Sequence, residues 1–301
     1  MASRRIALFA PLLLLVHCAT SAPRDLGTEI DRIIAANRGR MIAVAYYDLR
    51  DGSSLARNDR EVFHAASTMK VPVMLGIFEA ISRGDLRLDQ RVRVRNEFVS
   101  IFDGSTYALD PKDDSDAPLY QMVGRDLSLE ELVRRMIVRS SNLATNNVIE
   151  LIGAKRVMAL MKQIGANDIQ VLRGVEDGKA YRAGMNNTTT AHDLLVIFRA
   201  LAESRLISAQ ASQKMIEILA GQEHNNGMPK GVPRGTRVAH KTGSITEIAH
   251  DAALITRPDG SSYVLVVLTR GFKKENRAER VIASISRAVW RSTTRQRPPS
   301  R

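Results

Sequence analysis

Ser67-Thr68-Met69-Lys70 sets a hydroxyl and an amine three positions apart where the most apolar helical stretch of the chain begins. Residues at that spacing share one face of a helix, so the Lys70 nitrogen can reach the Ser67 hydroxyl and act on its proton. A place at a helix N-terminus adds positive backbone potential where an oxyanion forms after Ser67 attacks a carbonyl. At average composition a chain of this length carries about one Ser-x-x-Lys by chance, and a capping Ser beside a solvated Lys is the plain alternative. Two further clusters follow in order along the chain. Ser140-Ser141-Asn142 lies where one helical stretch ends and another begins, and Lys241-Thr242-Gly243-Ser244 lies on the last part of a strand.

The ordered set Ser-x-x-Lys, Ser-x-Asn and Lys-Thr-Gly resembles the active-site signature of class A β-lactamases and penicillin-binding proteins. The resemblance covers nearly the whole chain after its first residues. It implies that Ser67 is acylated, that Lys70 accepts or relays its proton, and that Ser140 passes a proton to the leaving nitrogen. Asn142 would hydrogen-bond the substrate's side-chain amide. Lys241 and the Thr242 hydroxyl would draw in the substrate carboxylate, and the N–H groups of Ser67 and Ser244, beside Gly243, would form the oxyanion hole.

Two departures stand out. Ser141 occupies a position where class A enzymes usually carry Asp. In class A the deacylating Glu is followed four residues later by Asn, and the pair holds the hydrolytic water. Here Arg173-Gly174-Val175-Glu176-Asp177-Gly178 precedes the Thr-rich Asn187-Thr188-Thr189-Thr190, and Ala180 stands where the Asn is expected. Glu176 is the candidate deacylation base and Asp177 its reserve. The loop reads as shortened and interrupted by Gly178 and Gly184. His64 and His240 flank two of the motifs, but a packed or capping imidazole explains each without catalysis. Glu223-His224-Asn225-Asn226 lacks partner ligands at a metal-binding spacing, so no metal and no other cofactor is expected.

The elements that must position these residues follow from hydrophobic period. Asp25 to Asn37 has helical spacing, Met41 to Tyr47 reads as a strand, and Asp51-Gly52 as a hairpin turn to the next. Helical patterns then dominate at Met69 to Ile81, Leu129 to Val138, Ala144 to Leu151 and Ala191 to Leu201, with Asp110 to Asp116 reading as an exposed loop. Strands return at Arg237 to Lys241, Ala249 to Thr256 and Tyr263 to Leu268, with a turn at Pro258-Asp259-Gly260, before a closing helix from Arg277 to Arg291. The expected fold class is α+β, of the β-lactamase/transpeptidase-like kind. Both chain ends (22–66 and 203–291) would build an antiparallel sheet with flanking helices, and 67–202 would form an inserted helical lobe.

The chain has 301 residues, 44% of them hydrophobic, which is enough for a sizeable core. Residues 1–21 read as an export signal: Arg4 and Arg5 precede the apolar run Ile6 to Val16, and small residues follow. Cleavage after Ser21 competes with lipidation of Cys18, the only cysteine, so a membrane anchor arises only on the second route. The net charge of +12 includes Arg4, Arg5 and four arginines at 291, 295, 297 and 301, the last part reading as a disordered basic tail over 292–301. No aromatic-interleaved basic stripe accompanies the charge, so a nucleic-acid partner is not expected. The expected protein is a periplasmic or secreted monomer that hydrolyses β-lactams. The alternatives are a D-alanyl-D-alanine peptidase or transpeptidase, another serine amidase or esterase, and a penicillin-binding receptor that stays acylated.

Overall fold

The computed structural model describes residues 25–295; the expected export signal, Cys18 and the last six residues of the expected tail lie outside them. The described residues open with α1 (Leu26–Ala35), β1 (Met41–Asp48), β2 (Ser54–Arg57) and β3 (Phe63–His64). A single 3₁₀ turn, Ala66–Met69, leads into α2 (Lys70–Ser82). Short strands β4 (Arg91–Arg93), β5 (Phe98–Val99), β6 (Thr106–Tyr107) and β7 (Asp126–Ser128) precede α3 (Leu129–Val138), α4 (Asn142–Ile152), α5 (Ala154–Gln163) and α6 (Gly178–Arg182). After β8 (Thr188–Thr189) come α7 (Ala191–Ala202), α8 (Ala209–Ala220), β9 (Arg237–Ile245), β10 (Ile248–Thr256), β11 (Ser262–Arg270) and α9 (Glu275–Arg295).

The main sheet is antiparallel, in the order β2-β1-β11-β10-β9, so strands from the two ends of the chain meet at the β1–β11 pair. Its two faces follow the pleat. Ile42, Val44, Tyr46, Leu265 and Val267 pack with α1 and α9, whereas Ala43, Ala45, Val264, Val266 and Leu268 join the core shared with the central helices. Helix α2 is buried on nearly every side, from Lys70 to Ala80, which is why its sequence is apolar without amphipathic period. Helix α9 continues to Arg295, beyond the expected end at Arg291. Its buried stripe does not stop at Val289 but includes Thr293, so the first residues of the expected tail are helical.

The 110–116 segment corrects a reading of the sequence. It is not simply an exposed loop: Asp114 and Asp116 are buried, and Asp116 is held by Arg135 at 2.8 Å and Arg139 at 3.1 Å. The acidic composition reads as solvated because the arginines that neutralise Asp116 stand 19 and 23 residues further along the chain. Charge pairing between distant segments leaves no local pattern.

Candidate active site

Ser67 lies within the 3₁₀ turn rather than on the α-helix proper, which starts at Lys70. In a 3₁₀ turn residues i and i+3 eclipse, so the tighter geometry aligns Ser67 with Lys70 more directly than an α-helix does. The turn is anchored on both sides. Strand β3 pairs with β8, and Ala65 N–H donates to Asn187 O at 2.8 Å, so the Thr-rich segment braces the approach to Ser67. Ala66 has φ +46°, in the left-handed region, and its N–H donates to His64 Nδ1 at 3.0 Å. His250, buried, sits 3.0 Å from His64 O through Nε2 while its Nδ1 accepts from Thr269 N–H. Burial holds the His250 pKa down at about 4, so it stays neutral and its Nε2–H donates. His64 is thus a capping group, and it holds the turn that carries Ser67.

Edge strand β9 runs against this turn. A Cβ at Gly243 would lie 3.0 Å from the backbone nitrogens of Ser67 and Thr68, a close approach that glycine makes without displacing either. The neighbouring Ser244 amide is thereby carried to the edge of the cleft beside Ser67. One cleft is lined by Ser67, Ser140, Asn142, Thr242, Gly243 and Ser244.

Lys70 and Lys241 lie beneath that cleft, both wholly buried. Lys70 Nζ donates to Ser140 O at 2.5 Å, Ser140 Oγ at 3.3 Å and Asn142 Oδ1 at 2.9 Å. Lys241 Nζ donates to the same Ser140 Oγ at 2.9 Å and to Thr242 O at 2.8 Å. Burial pushes the Lys70 pKa down to about 7, against the opposing pull of Asp114 and Glu176. Burial, with the Lys70 charge adding to it, also lowers that of Lys241 well below the usual range. A lysine that is neutral near pH 7 is a competent proton acceptor.

Ser140 and Asn142 are placed by the α3–α4 junction. Ser141 caps α4, its Oγ accepting from Ala144 N–H at 3.2 Å, and Ser140 takes φ +60°, which turns its side chain into the cleft between the lysines. Asn142 then bridges two groups that sequence reasoning treated separately: its Oδ1 accepts from Lys70, and its Nδ2 donates to Glu176 Oε1 at 3.2 Å.

The Glu176 loop is more firmly built than its glycines implied. Asn146, one turn beyond Asn142 on α4, accepts from Val175 N–H at 2.6 Å and donates to Val175 O at 3.0 Å. Gly178 opens helix α6 instead of loosening the loop, and Gly184, with φ +76°, follows its end. Glu176 itself has φ +59°, a local strain of the kind that collects at functional sites. Burial of its carboxyl, and then nearby Asp113, push its pKa up, with Lys70 and Arg173 opposing. Asp177, the reserve base, is a clamp: it caps α6 through Ala180 N–H and accepts from Ser100 Oγ and Ile101 N–H of the β5–β6 hairpin. Despite its burial, those donors hold its carboxyl below the usual range. Ala180 is fully buried on α6.

His240 is also buried, its Nδ1 2.8 Å from Asp251 Oδ1 and its Nε2 3.2 Å from Asn225 Oδ1, so it is a packed group of β9. Of the positioning residues, His64 stood beside a motif and Asn146 followed Asn142 at helical spacing. His250 left no such signal.

The chain as a whole is similar to known β-lactamases. VEB-1, a β-lactamase of Pseudomonas aeruginosa, is 25% identical over 302 aligned positions, covering 95% of this chain and 97% of that protein. A β-lactamase structure from Sphaerobacter thermophilus superposes with a TM-score of 0.79 at 27% identity, covering 90% of this chain and 99% of that one. The structure of PBP-A has the same fold, with a TM-score of 0.77 at 24% identity over 90% of this chain and 96% of that one. The model of the β-lactamase enzyme family matches residues 25–293, from the first described helix through all three motifs into the last. With a match of that extent over a cleft built from those motifs, the chain is a member of the β-lactamase enzyme family.

Proposed function

We propose that the protein hydrolyses the ring amide of β-lactams through an acyl-enzyme on Ser67. The observation that carries this reading is the Asn142 side chain, which bonds Lys70 at one end and Glu176 at the other. A group suited to acylation and a group suited to deacylation are thereby held on one scaffold. In the proposed sequence Ser67 Oγ attacks the ring carbonyl as neutral Lys70 takes its proton, and the Ser67 and Ser244 amides hold the oxyanion. The ring C–N bond then breaks as Ser140 gives its proton to the nitrogen, being resupplied from the lysines that donate to it. Glu176 next takes a proton from water as that water attacks the ester carbonyl; the bond from the acyl carbon to Ser67 Oγ then breaks, the proton passes to Ser67 Oγ, and the product leaves as a carboxylic acid. Lys241 and Thr242 receive the substrate carboxylate. Asn142 holds the substrate's side-chain amide.

A second reading rests on Ala180. Its methyl group offers nothing to hold a hydrolytic water, so deacylation has one anchor fewer than the family's Glu and Asn supply. A slow-releasing penicillin-binding receptor, or a peptidase working on D-alanyl peptides, fits that feature. Nitrocefin turnover by the purified protein, beside Ser67→Ala, separates the readings. Multiple turnovers lost in Ser67→Ala support the hydrolase, one equivalent of acylation without turnover supports the receptor, and no acylation removes both.

The basic flank and apolar run at Arg4 to Val16 support export to the periplasm, by cleavage near Ser21 or by lipidation of Cys18. Among the described residues no helix is long and apolar enough to cross a membrane. An exported, monomeric β-lactamase would confer β-lactam resistance on its host.

A further inference from the structure

The Ser-Ser-Asn turn lacks the aspartate its family usually carries at the middle position, yet a carboxylate is present there. Asp114 reaches in from the 110–116 segment. Its Oδ2 accepts from Leu143 N–H at 2.8 Å, Tyr120 OH at 3.1 Å and Ser141 Oγ at 3.5 Å, and its Oδ1 accepts from Asp116 N–H at 3.0 Å. The residue is 8% exposed. The same segment grips the other side of the turn, through Asp116 on Arg139 and through Ser115 Oγ, which donates to Arg139 O at 2.5 Å. Arg139 and Leu143 bracket Ser140 to Asn142, so both flanks of the left-handed Ser140 are tied to one loop. A local strain of this kind persists only where its surroundings over-determine it.

We propose that Asp114 is a positioning residue for acylation of Ser67: delivered by a loop outside the motif, its carboxylate replaces the aspartate missing at Ser141, fixing Ser140 and Asn142 and setting a negative charge opposite Lys70. The proposal rests on the reading of Ser67 and Lys70 given above. Two consequences separate it from mere packing. The carboxylate belongs to the site and not to one position, so moving it should be tolerated where deleting or doubling it is not. Its field also acts on Lys70, alongside Glu176, the other nearby carboxylate, and against Lys241.

Labelling of Ser67 by a fluorescent penicillin, followed as a rate over pH, reads both. Asp114→Ser should slow acylation at least tenfold. Ser141→Asp alone should also slow it, because two carboxylates would then meet where Ser141 Oγ now lies 3.5 Å from Asp114. The double variant, Asp114→Ser with Ser141→Asp, should recover to within a few-fold of wild type. A double variant no faster than the slower single one overturns the proposal. If Asp114→Ser does not fold, Asp114→Asn decides. An amide can serve only one of the Leu143 and Asp116 N–H donors and carries no charge, so the acid limb of labelling should move to lower pH. A lowered rate with the limb unmoved assigns Asp114 a packing role only and overturns the proposal. Wild-type protein that takes no label removes the reading of Ser67 together with this one, whereas labelling indifferent to every Asp114 variant removes this one alone.

Discussion

Lys70 and Lys241 converge on a single hydroxyl, their Nζ atoms lying 3.3 and 2.9 Å from Ser140 Oγ. Two buried ammonium groups sharing one partner repel, and the Lys70 charge adds to burial in lowering the Lys241 pKa, so the arrangement favours a state in which at least one is neutral. The Ser140 hydroxyl is then a junction at which a proton can arrive from one amine and leave for a substrate nitrogen.

The pH dependence of acylation follows. Lys70 accepts a proton only as the free amine, so the acylation rate should rise with pH through about 7. The sign for stability is also set. With a folded pKa of about 7 against an ordinary 10.5, the unfolded chain binds more protons between those values, and stability from this group rises with pH across that window. The slope is at most about 1.4 kcal/mol per pH unit. Thermal melts of wild type and Lys70→Ala at several pH values measure the difference; a wild type that loses stability relative to the variant as pH rises through that window would contradict the burial of a neutral lysine.

Glu176→Gln should leave acylation nearly intact and lengthen the acyl-enzyme lifetime by about 10²–10⁴, the usual worth of a positioned base. The raised pKa of Glu176 means that the acid limb of deacylation lies above the ordinary 4.5. Intact-protein mass spectrometry after penicillin treatment follows the adduct, and equal lifetimes in wild type and variant would take Glu176 out of the reaction.

Restoring the family's Asn at position 180 should fail to speed deacylation. Ala180 is fully buried and its N–H caps onto Asp177, so Ala180→Asn puts a polar side chain into packed space, costing about 1–3 kcal/mol. A lower melting temperature with no gain in turnover is the expected result; faster turnover at unchanged stability would mean that the α6 backbone moves readily.

Gly243→Ala should damage acylation far more than stability. The added methyl meets backbone, at 3.0 Å from the Ser67 and Thr68 nitrogens, so the turn or edge strand β9 must give by a few tenths of an ångström beside Ser67. Misplacement by about 1 Å can cost about 10² in rate. Stopped-flow acylation and a melting curve on the same preparation test this, and a wild-type acylation rate would show that β9 does not set the oxyanion geometry.

Periodicity and local spacing determine much of this protein. The unbroken apolar runs Met41 to Tyr47 and Tyr263 to Leu268 foretell strands covered on both faces, and the bounds of α3 and α7 are legible to within a residue. Ser67, Lys70 and the Ser140–Asn142 and Lys241–Ser244 clusters are visible because each is a short run whose members are held by one turn or strand. What only the assembled fold reveals is how the runs act on one another. Asn142 joins Lys70 to Glu176, two lysines share Ser140, and Asp114 supplies a carboxylate from a segment that reads as exposed loop. Those relationships span from 27 to 101 residues of chain, and backbone pattern carries no trace of a partner so distant. Lys70 reads alike as a solvated surface lysine and as an amine near neutrality, because its pKa depends on burial and on opposing charges that the folded chain brings around it.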